Sequence, residues 1–420
     1  MTNKKNPWFW VPSLYFAEGL PYIMVMVVSV IMYKRLGISN TDIALYTSWF
    51  YLPWIIKPLW SPIVDILKTK RLWIVVTQFV TGVCFAGAAL TIPTSHFFQF
   101  TLAFFWLIAF SSATHDISAD GFYMLGLTQK EQSFFVGIRS TFYRIAMITG
   151  QGLLVIIAGL FEEHFGSIKT AWQITFAVAS ILFLGLFLYH KFILPYPKSD
   201  KPSLKRNRNF WKEFIITFVT FFKRKSIFPI LLFILFYRFG EGQLAKIAAP
   251  FMLDAKNIGG LALSTVDVGF LYGTVGIIAL VIGGILGGIA ASRNGLKYWI
   301  WWMLIAINLP DIVYVYLSYF QPESLFTIGS LIAVEQFGYG FGFTAFMLYL
   351  IYVSDGEHKT AHYAIATGIM ALGMMLPGML SGWLQETIGY QLFFVWVLIA
   401  TIPSFVIVKF IPLDAEFGKK

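Results

Sequence analysis

The chain has 420 residues, 58% hydrophobic and only 12% charged, with a formal net charge of +10. Its mean hydropathy is +0.72, and a soluble domain of this length would carry roughly 25% charged residues, so a soluble enzyme or soluble binding domain is excluded. The basic residues fall in alternate loops rather than in one stripe, so the positive balance implies no nucleic-acid partner.

Apolar runs of about 20 residues, each long enough to cross a bilayer as a helix, recur along the whole chain. They lie at 8–33, 41–62, 72–92, 97–123, 134–160, 170–194, 226–252, 264–291, 297–319, 325–353, 361–385 and 389–412. Lys4 and Lys5 before the first run resemble the start of a secretory signal. No small-residue cleavage site follows, and Glu18-Gly19-Leu20-Pro21 interrupts the run, so it reads as an uncleaved first span. Cys84, the only cysteine, excludes an internal disulfide and lies in an apolar run as a packing residue.

Between spans six and seven lies the only long polar segment, 195–225, which opens with Pro195, Pro197 and Pro202. Phe210, Trp211, Phe214, Ile215, Phe218 and Phe222 recur there at helical spacing, predicting a helix on the inner membrane surface, with a disordered linker as the alternative. The predicted organisation is a six-helix bundle over 1–194, a cytoplasmic basic linker over 195–225 and a second six-helix bundle over 226–420. Lys68, Lys70 and Arg71, the cluster from Lys198 to Lys225, Arg293 and Lys297, and Lys409, Lys419 and Lys420 occupy alternate loops. The intervening loops hold Lys34, Arg35, Lys169 and Lys256, so both termini are expected in the cytoplasm.

The two halves repeat. Phe16-Ala17-Glu18-Gly19 in span one matches Phe239-Gly240-Glu241-Gly242 in span seven. Thr41-Asp42 at the start of span two matches Thr265-Val266-Asp267 at the start of span eight, and the Gly159–Gly166 phrase leaving span five matches Gly382–Gly389. Six plus six spans in parallel repeat is the architecture of the major facilitator superfamily: an all-α membrane protein of twelve transmembrane helices in two pseudo-symmetric bundles. Interrupted hydrophobic segments at corresponding places in two halves point to the binding site of a transporter.

Three phrases narrow the resemblance. Tyr15-Phe16-Ala17-Glu18-Gly19-Leu20-Pro21 is similar to the opening of the AmpG-type muropeptide permeases. Leu52-Pro53 through Lys57, Trp60, Pro62 and Asp65 resembles that family's L-P-x-x-x-K-x-x-W-x-P-x-x-D, and Ala113-Thr114-His115-Asp116-Ile117-Ser118-Ala119-Asp120 resembles its A-T-Q-D-I-x-x-D. Acetyl-coenzyme A transporters share part of the pattern. His115 departs from the family's glutamine, and Gly121-Phe122 from its Ala-Tyr. The resemblance implies proton-coupled import of cell-wall sugar-peptides, or of an amino sugar such as N-acetylmuramic acid, across a bacterial inner membrane.

An ionisable side chain inside a membrane span is costly and marks a functional group unless it is paired. Glu18 lies near mid-depth of span one. Glu241 sits in the equivalent place, one turn from Arg238, either as part of a site or as half of an intrahelical ion pair. Asp116 and Asp120 are one turn apart on span four, and by helical rise Asp120 meets Arg139 of span five while Asp116 lies nearer Arg144. Such pairs serve either as a protonation-driven switch or as a permanent brace, the brace role extending to Arg139 and Asp65. His115 suits proton transfer by its unperturbed pKa, and equally suits a plain hydrogen bond.

The proton-coupling candidates are therefore Asp116, Asp120, Glu18 and His115. The substrate-binding candidates are Glu18, Tyr22, Arg144, Tyr237, Arg238, Glu241, Lys246, Asn308 and Glu335, with Lys57, Asp311 and Gln336 as further polar groups deep in spans. No histidine and carboxylate cluster has ligand spacing, so neither a metal nor a cofactor is expected. The expected partners are a small cell-wall sugar or sugar-peptide, protons and the lipid bilayer, with the protein acting as a monomer. The alternatives are a carrier for another anionic or sugar solute and, remotely, a membrane enzyme.

Overall fold

Several helices begin where the sequence places a side-chain oxygen against the first free amides. Ser39 accepts from the Asp42 amide at 3.0 Å and Ser264 from the Asp267 amide at 3.1 Å, so the repeat recognised at spans two and eight is one capping device used twice. Thr128 and Glu131 cap span five reciprocally, and Thr69 and Ser324 cap spans three and ten. Each such cap stabilises its helix by about 1 kcal/mol.

The computed structural model describes residues 5–201, 210–356 and 358–419, without the side chains at 62, 65, 66 and 210–214. Among the described residues every regular element is helical, and ten runs are long and apolar enough to cross a membrane. They are Pro7–Arg35, Lys70–Thr91, Phe97–Gly126, Gln129–Phe165, Ile168–Ile193, Ile227–Leu253, Thr265–Asn294, Leu296–Phe320, Leu325–Val353 and Lys359–Ile407. The last covers the predicted spans eleven and twelve, which part at Gly389, where φ is 77° and ψ 166°. The predicted second span falls on the helices Asn40–Ser48 and Leu52–Leu67, joined by the tighter turn Trp49–Tyr51.

The chain divides into two compact units. Unit one comprises Met1–Leu36 and Leu59–Asn207; unit two comprises Gly37–Pro58 and Arg208–Lys420. The first part of the second span thus groups with the later half of the chain.

In unit one, Trp10, Leu14, Tyr15, Phe122 and Tyr123 form a buried cluster joining spans one and four, with Trp10 edge-on to Phe122 at 5.2 Å. Gly19 brings span one against span five, since a Cβ there would lie 2.9 Å from the Tyr143 carbonyl oxygen. The glycine of the first repeated phrase therefore serves close packing. The helix carries on through Glu18 and Pro21 and widens only at Met24–Val28. Cys84 is buried, as its apolar surroundings predict.

Unit two is held by backbone-to-backbone contact. A Cβ on Gly283 would lie 2.1 Å from the Phe337 carbonyl oxygen, and one on Gly340 would lie 2.0 Å from that of Leu280, so spans eight and ten interlock. On its other side span ten meets span nine, where Gly338 and Gly342 would strike the Ala306 and Met303 carbonyls at 2.1 and 2.3 Å. Small-residue faces of this kind let helices approach where no hydrophobic drive separates lipid from protein. Three spans of this unit are irregular: span seven breaks at Tyr237 and Arg238, span eight widens over Leu271–Gly276, and span nine tightens over Leu309–Asp311.

The predicted helix in the polar segment is formed, Phe210–Phe222, with Ile215, Ile216, Val219 and Phe222 exposed and Phe221 buried. Pro202 and the side chains of Phe210, Trp211 and Phe214 lie outside the described residues. Arg224 ends this segment by donating to the Val353 carbonyl, the Asp355 carbonyl at 2.7 Å and His362 Nδ1 at 2.6 Å. Burial lowers the pKa of its guanidinium and Asp355 partly offsets that.

The span eight–ten contact predicts a contrast. Gly340→Ala is expected to cost about 1–3 kcal/mol by overpacking, lowering the thermal unfolding midpoint in detergent. Gly288→Ala, with open space around its Cβ, is expected to be neutral or to stabilise by up to about 1 kcal/mol.

Candidate functional site

Each unit gathers its own polar group. In unit one, span five supplies Arg139, span four Asp120 and span one Tyr15. Arg139 Nη1 donates to Asp120 Oδ1 and to the Tyr15 hydroxyl, both at 3.0 Å, and Tyr15 donates to the same Asp120 oxygen at 3.0 Å. The guanidinium also lies over the Tyr15 and Tyr123 rings at 4.9 and 5.2 Å. The depth match of Asp120 with Arg139 is therefore realised, with a tyrosine that the helical count does not include. Glu18, three residues beyond Tyr15, acts electrostatically on Tyr15, Arg139 and Tyr143.

Tyr143 is the second focus of this unit, in the field of Tyr22, Glu18, Asp116 and Arg144. Arg144 donates to Met147 Sδ at 3.6 Å and makes no salt bridge among the described residues, so the expected approach of Asp116 to Arg144 does not become an ion pair here. The side chain of Asp65 lies outside the described residues.

His115 belongs to a buried chain of hydrogen bonds that sequence reasoning misses. Ser13 Oγ meets His190 Nε2, His190 Nδ1 meets Gln78 Oε1, and Gln78 Nε2 meets His115 Nε2, each at 2.9 Å. With the amide so placed, His190 Nδ1 donates to Gln78 and His115 Nε2 accepts from it. The chain ties spans one, six, three and four together. Its only signal in the sequence is Gln78, an amide inside an apolar run.

In unit two, Arg238 and Glu241 form a two-pronged ion pair, with Nε to Oε2 at 2.7 Å and Nη2 to Oε1 at 2.6 Å. Arg238 also donates to the Tyr339 hydroxyl at 2.8 Å and lies over the Phe343 ring at 4.8 Å. This is the intrahelical pair that the spacing allows, placed at the break in span seven. Tyr237 takes no part: it is fully buried, donates to the Gly342 carbonyl at 2.8 Å and stacks on Phe346. Asn308 likewise turns back to its own helix, donating to the Leu304 carbonyl at 2.9 Å.

Lys246 is 2% exposed. Its Nζ donates to Thr47 Oγ1 at 3.0 Å and lies 5.4 Å from the Tyr51 ring centre, and it makes no salt bridge among the described residues. Ser48 Oγ is buried beside it without a hydrogen-bond partner, both side chains bordering Gly378. Glu335 and Asp311 are also buried; Glu335 accepts from Gln336 at 3.0 Å and from Tyr314 at 3.4 Å. At the start of the second span, Glu386 accepts from the Asn40 and Thr41 amides, while Asn40 Nδ2 donates to Gln385 and Tyr390 at 2.6 and 2.9 Å. Among the described residues no three ionisable metal-ligand side chains gather.

The sequence profile of the Major Facilitator Superfamily matches residues 13–355. The chain belongs to that superfamily. It is 25% identical to the putative transporter AmpG 4 of Rickettsia conorii, over 94% of each chain. It is 23% identical to the anhydromuropeptide permease of Escherichia coli K12, over 93% of this chain and 77% of that one. These relatives agree with the resemblance carried by spans one, two and four. Among solved structures, a point mutant of the nucleoside transporter NupG superposes with a TM-score of 0.72 at 14% identity, covering 96% of this chain and 99% of that one. A D-xylose-proton symporter gives 0.72 at 11% identity, covering 98% of each. At such identities the structural likeness establishes the fold. The protein is a membrane-spanning transporter of the major facilitator fold, with a small molecule as its cargo.

Removing the amide at the centre of the buried chain tests its bracing role. Gln78→Leu strips partners from His115 and His190, and each orphaned group costs about 1–3 kcal/mol. The expected readout is a lowered unfolding midpoint of the purified protein.

Proposed function

We propose that this protein is a proton-coupled importer of peptidoglycan-derived muropeptides or amino sugars, working by alternating access in a bacterial inner membrane. In this reading it acts as a monomer, with both termini in the cytoplasm. The observation that carries the substrate side is Lys246. A buried amine whose partners among the described residues are a hydroxyl and an aromatic face is costly to charge without a negative partner. An anionic cargo supplies one: a lactyl or peptide carboxylate answers Lys246, and the neighbouring Ser48 hydroxyl offers a second donor. The likeness to an anhydromuropeptide permease supports the same chemistry.

Proton coupling is supported by the carboxylates of unit one. Glu18 and Asp116, which both act on Tyr143, and Asp120 in its contact with Arg139 and Tyr15 are that unit's candidates for a reversible proton, with His115 beside Asp116. A proton crossing the membrane delivers about 2.3 kcal/mol per 100 mV, enough to concentrate a solute severalfold. Glu18, Tyr22, Arg144 and the Arg238–Glu241 pair are the remaining polar groups proposed to meet sugar hydroxyls and amides.

In proteoliposomes, an inward proton gradient is expected to drive accumulation of labelled N-acetylmuramic acid or anhydro-muropeptide. Accumulation that survives collapse of the gradient removes the coupling; failure to concentrate any cell-wall fragment removes the substrate class. Lys246→Met is expected to reduce apparent affinity for the anionic cargo at least tenfold with the protein still folded. Asp116→Asn is expected to abolish concentrative uptake while leaving substrate counterflow intact, and loss of both would mark Asp116 as structural.

A further inference from the structure

We propose that Asp311 and Glu335, on spans nine and ten of unit two, form a shared site for the transported proton. The inference rests on the reading of the chain as a proton-coupled carrier, and it moves Glu335 from the substrate to the proton.

The argument begins with what surrounds the two acids. Asp311 is 2% exposed and Glu335 4%. Tyr314, one turn beyond Asp311 on span nine, donates to Glu335 at 3.4 Å, and a Cβ on Gly338, one turn beyond Glu335 on span ten, would lie 2.8 Å from the ring of Pro310, so the two acids stand where these spans meet; Glu335 and then Glu241 are the charges that act on Asp311. Tyr272 of span eight lies in the field of Glu335 and Glu241. Glu241, Tyr314 and the Gln336 amide act on the pair, and neither acid forms a salt bridge among the described residues. The guanidinium of Arg238, at the break in span seven, is already committed to both oxygens of Glu241.

Two carboxylates buried together without a cation repel each other and forgo their hydration, so at least one holds a proton. The hydrogen bonds point the same way. Glu335 Oε2 accepts from Gln336 and Tyr314, whereas Asp311 Oδ2 is buried with no hydrogen-bond partner. A proton on this pair gives that bare oxygen either a donor to accept from or a hydrogen of its own to place.

The position suits a coupling role. Asp311 closes the tight turn Leu309–Asp311 that interrupts span nine. Glu335 is four residues before Tyr339, on the same face of span ten, and Tyr339 holds Arg238 at the break in span seven. Adding or removing a proton on the pair changes the net charge felt by Glu241, and so the grip of Arg238 at that break.

The test has two arms. The first needs no substrate: the infrared carbonyl stretch of a protonated carboxylic acid, read at neutral pH on the purified full chain, is expected in the wild type and lost in Asp311→Asn and Glu335→Gln. A band absent from the wild type, or unchanged in both variants, overturns the proposal. The second arm uses proteoliposomes and labelled N-acetylmuramic acid. Glu335→Gln is expected to retain counterflow, which certifies folding, and to lose gradient-driven accumulation at least tenfold. Accumulation by both variants at the wild-type level shows the proton to be structural and overturns the proposal while the carrier reading stands. Wild-type accumulation indifferent to the proton gradient removes the proton coupling on which the inference rests. Dependence on sodium that vanishes in the variants makes the pair a cation site and overturns the proton assignment.

Discussion

Inside hydrocarbon there is no water to receive a stray hydrogen bond or a bare charge, so every polar group in a span must be answered by the protein or by what the protein carries. This constraint explains most of the interior. Arg139 is answered by Asp120 and Tyr15, Arg238 by Glu241 and Tyr339, and two buried imidazoles by the amide of Gln78. The exceptions from which the functional reading grows lie in unit two. They are the Lys246 amine, which has no counter-charge among the described residues, the Ser48 hydroxyl beside it and the Asp311 carboxyl group.

The two units spend their charges differently. Unit one pairs Arg139 with an aspartate at a partly open position between spans one, four and five. Unit two buries Arg238, Lys246, Asp311 and Glu335 while pairs such as Lys359–Asp355 lie at its surface, and Lys246 is not among the groups acting on its acid pair. In the proposed reading the cargo and the proton have opposite needs, which keeping Lys246 apart from Asp311 and Glu335 would serve.

Much of this is legible in the residues. Hydropathy marks the spans to within a few positions, and the charge of the loops suggests an orientation. The phrases around Glu18, Lys57 and His115-Asp116 point to a family. The Asp120–Arg139 contact follows from helical rise alone, because both residues lie on regular helix. Legibility ends where geometry depends on another element. Tyr237 flanks a repeated glutamate and reads as a ligand, yet the break beside it turns the ring into the apolar core. Gly19 and Gly242 read as helix looseners and instead serve as packing surfaces. The Ser13–His190–Gln78–His115 chain joins four spans distant in sequence, and no local pattern announces it. Asp311 is visible as one more polar residue, but only the fold sets it against Glu335.

The contact of span ten with its neighbours on both sides is made by main-chain atoms, with glycines where side chains would otherwise stand. Such a joint has no rotamers to rearrange and cannot be loosened one side chain at a time. Spans eight, nine and ten therefore behave as a single stiff wedge. Any flexing within it is left to the two places where the helices already depart from regular winding, Leu271–Gly276 and Leu309–Asp311. The second of these carries one of the two acids, so bending there would shift the separation of Asp311 from Glu335.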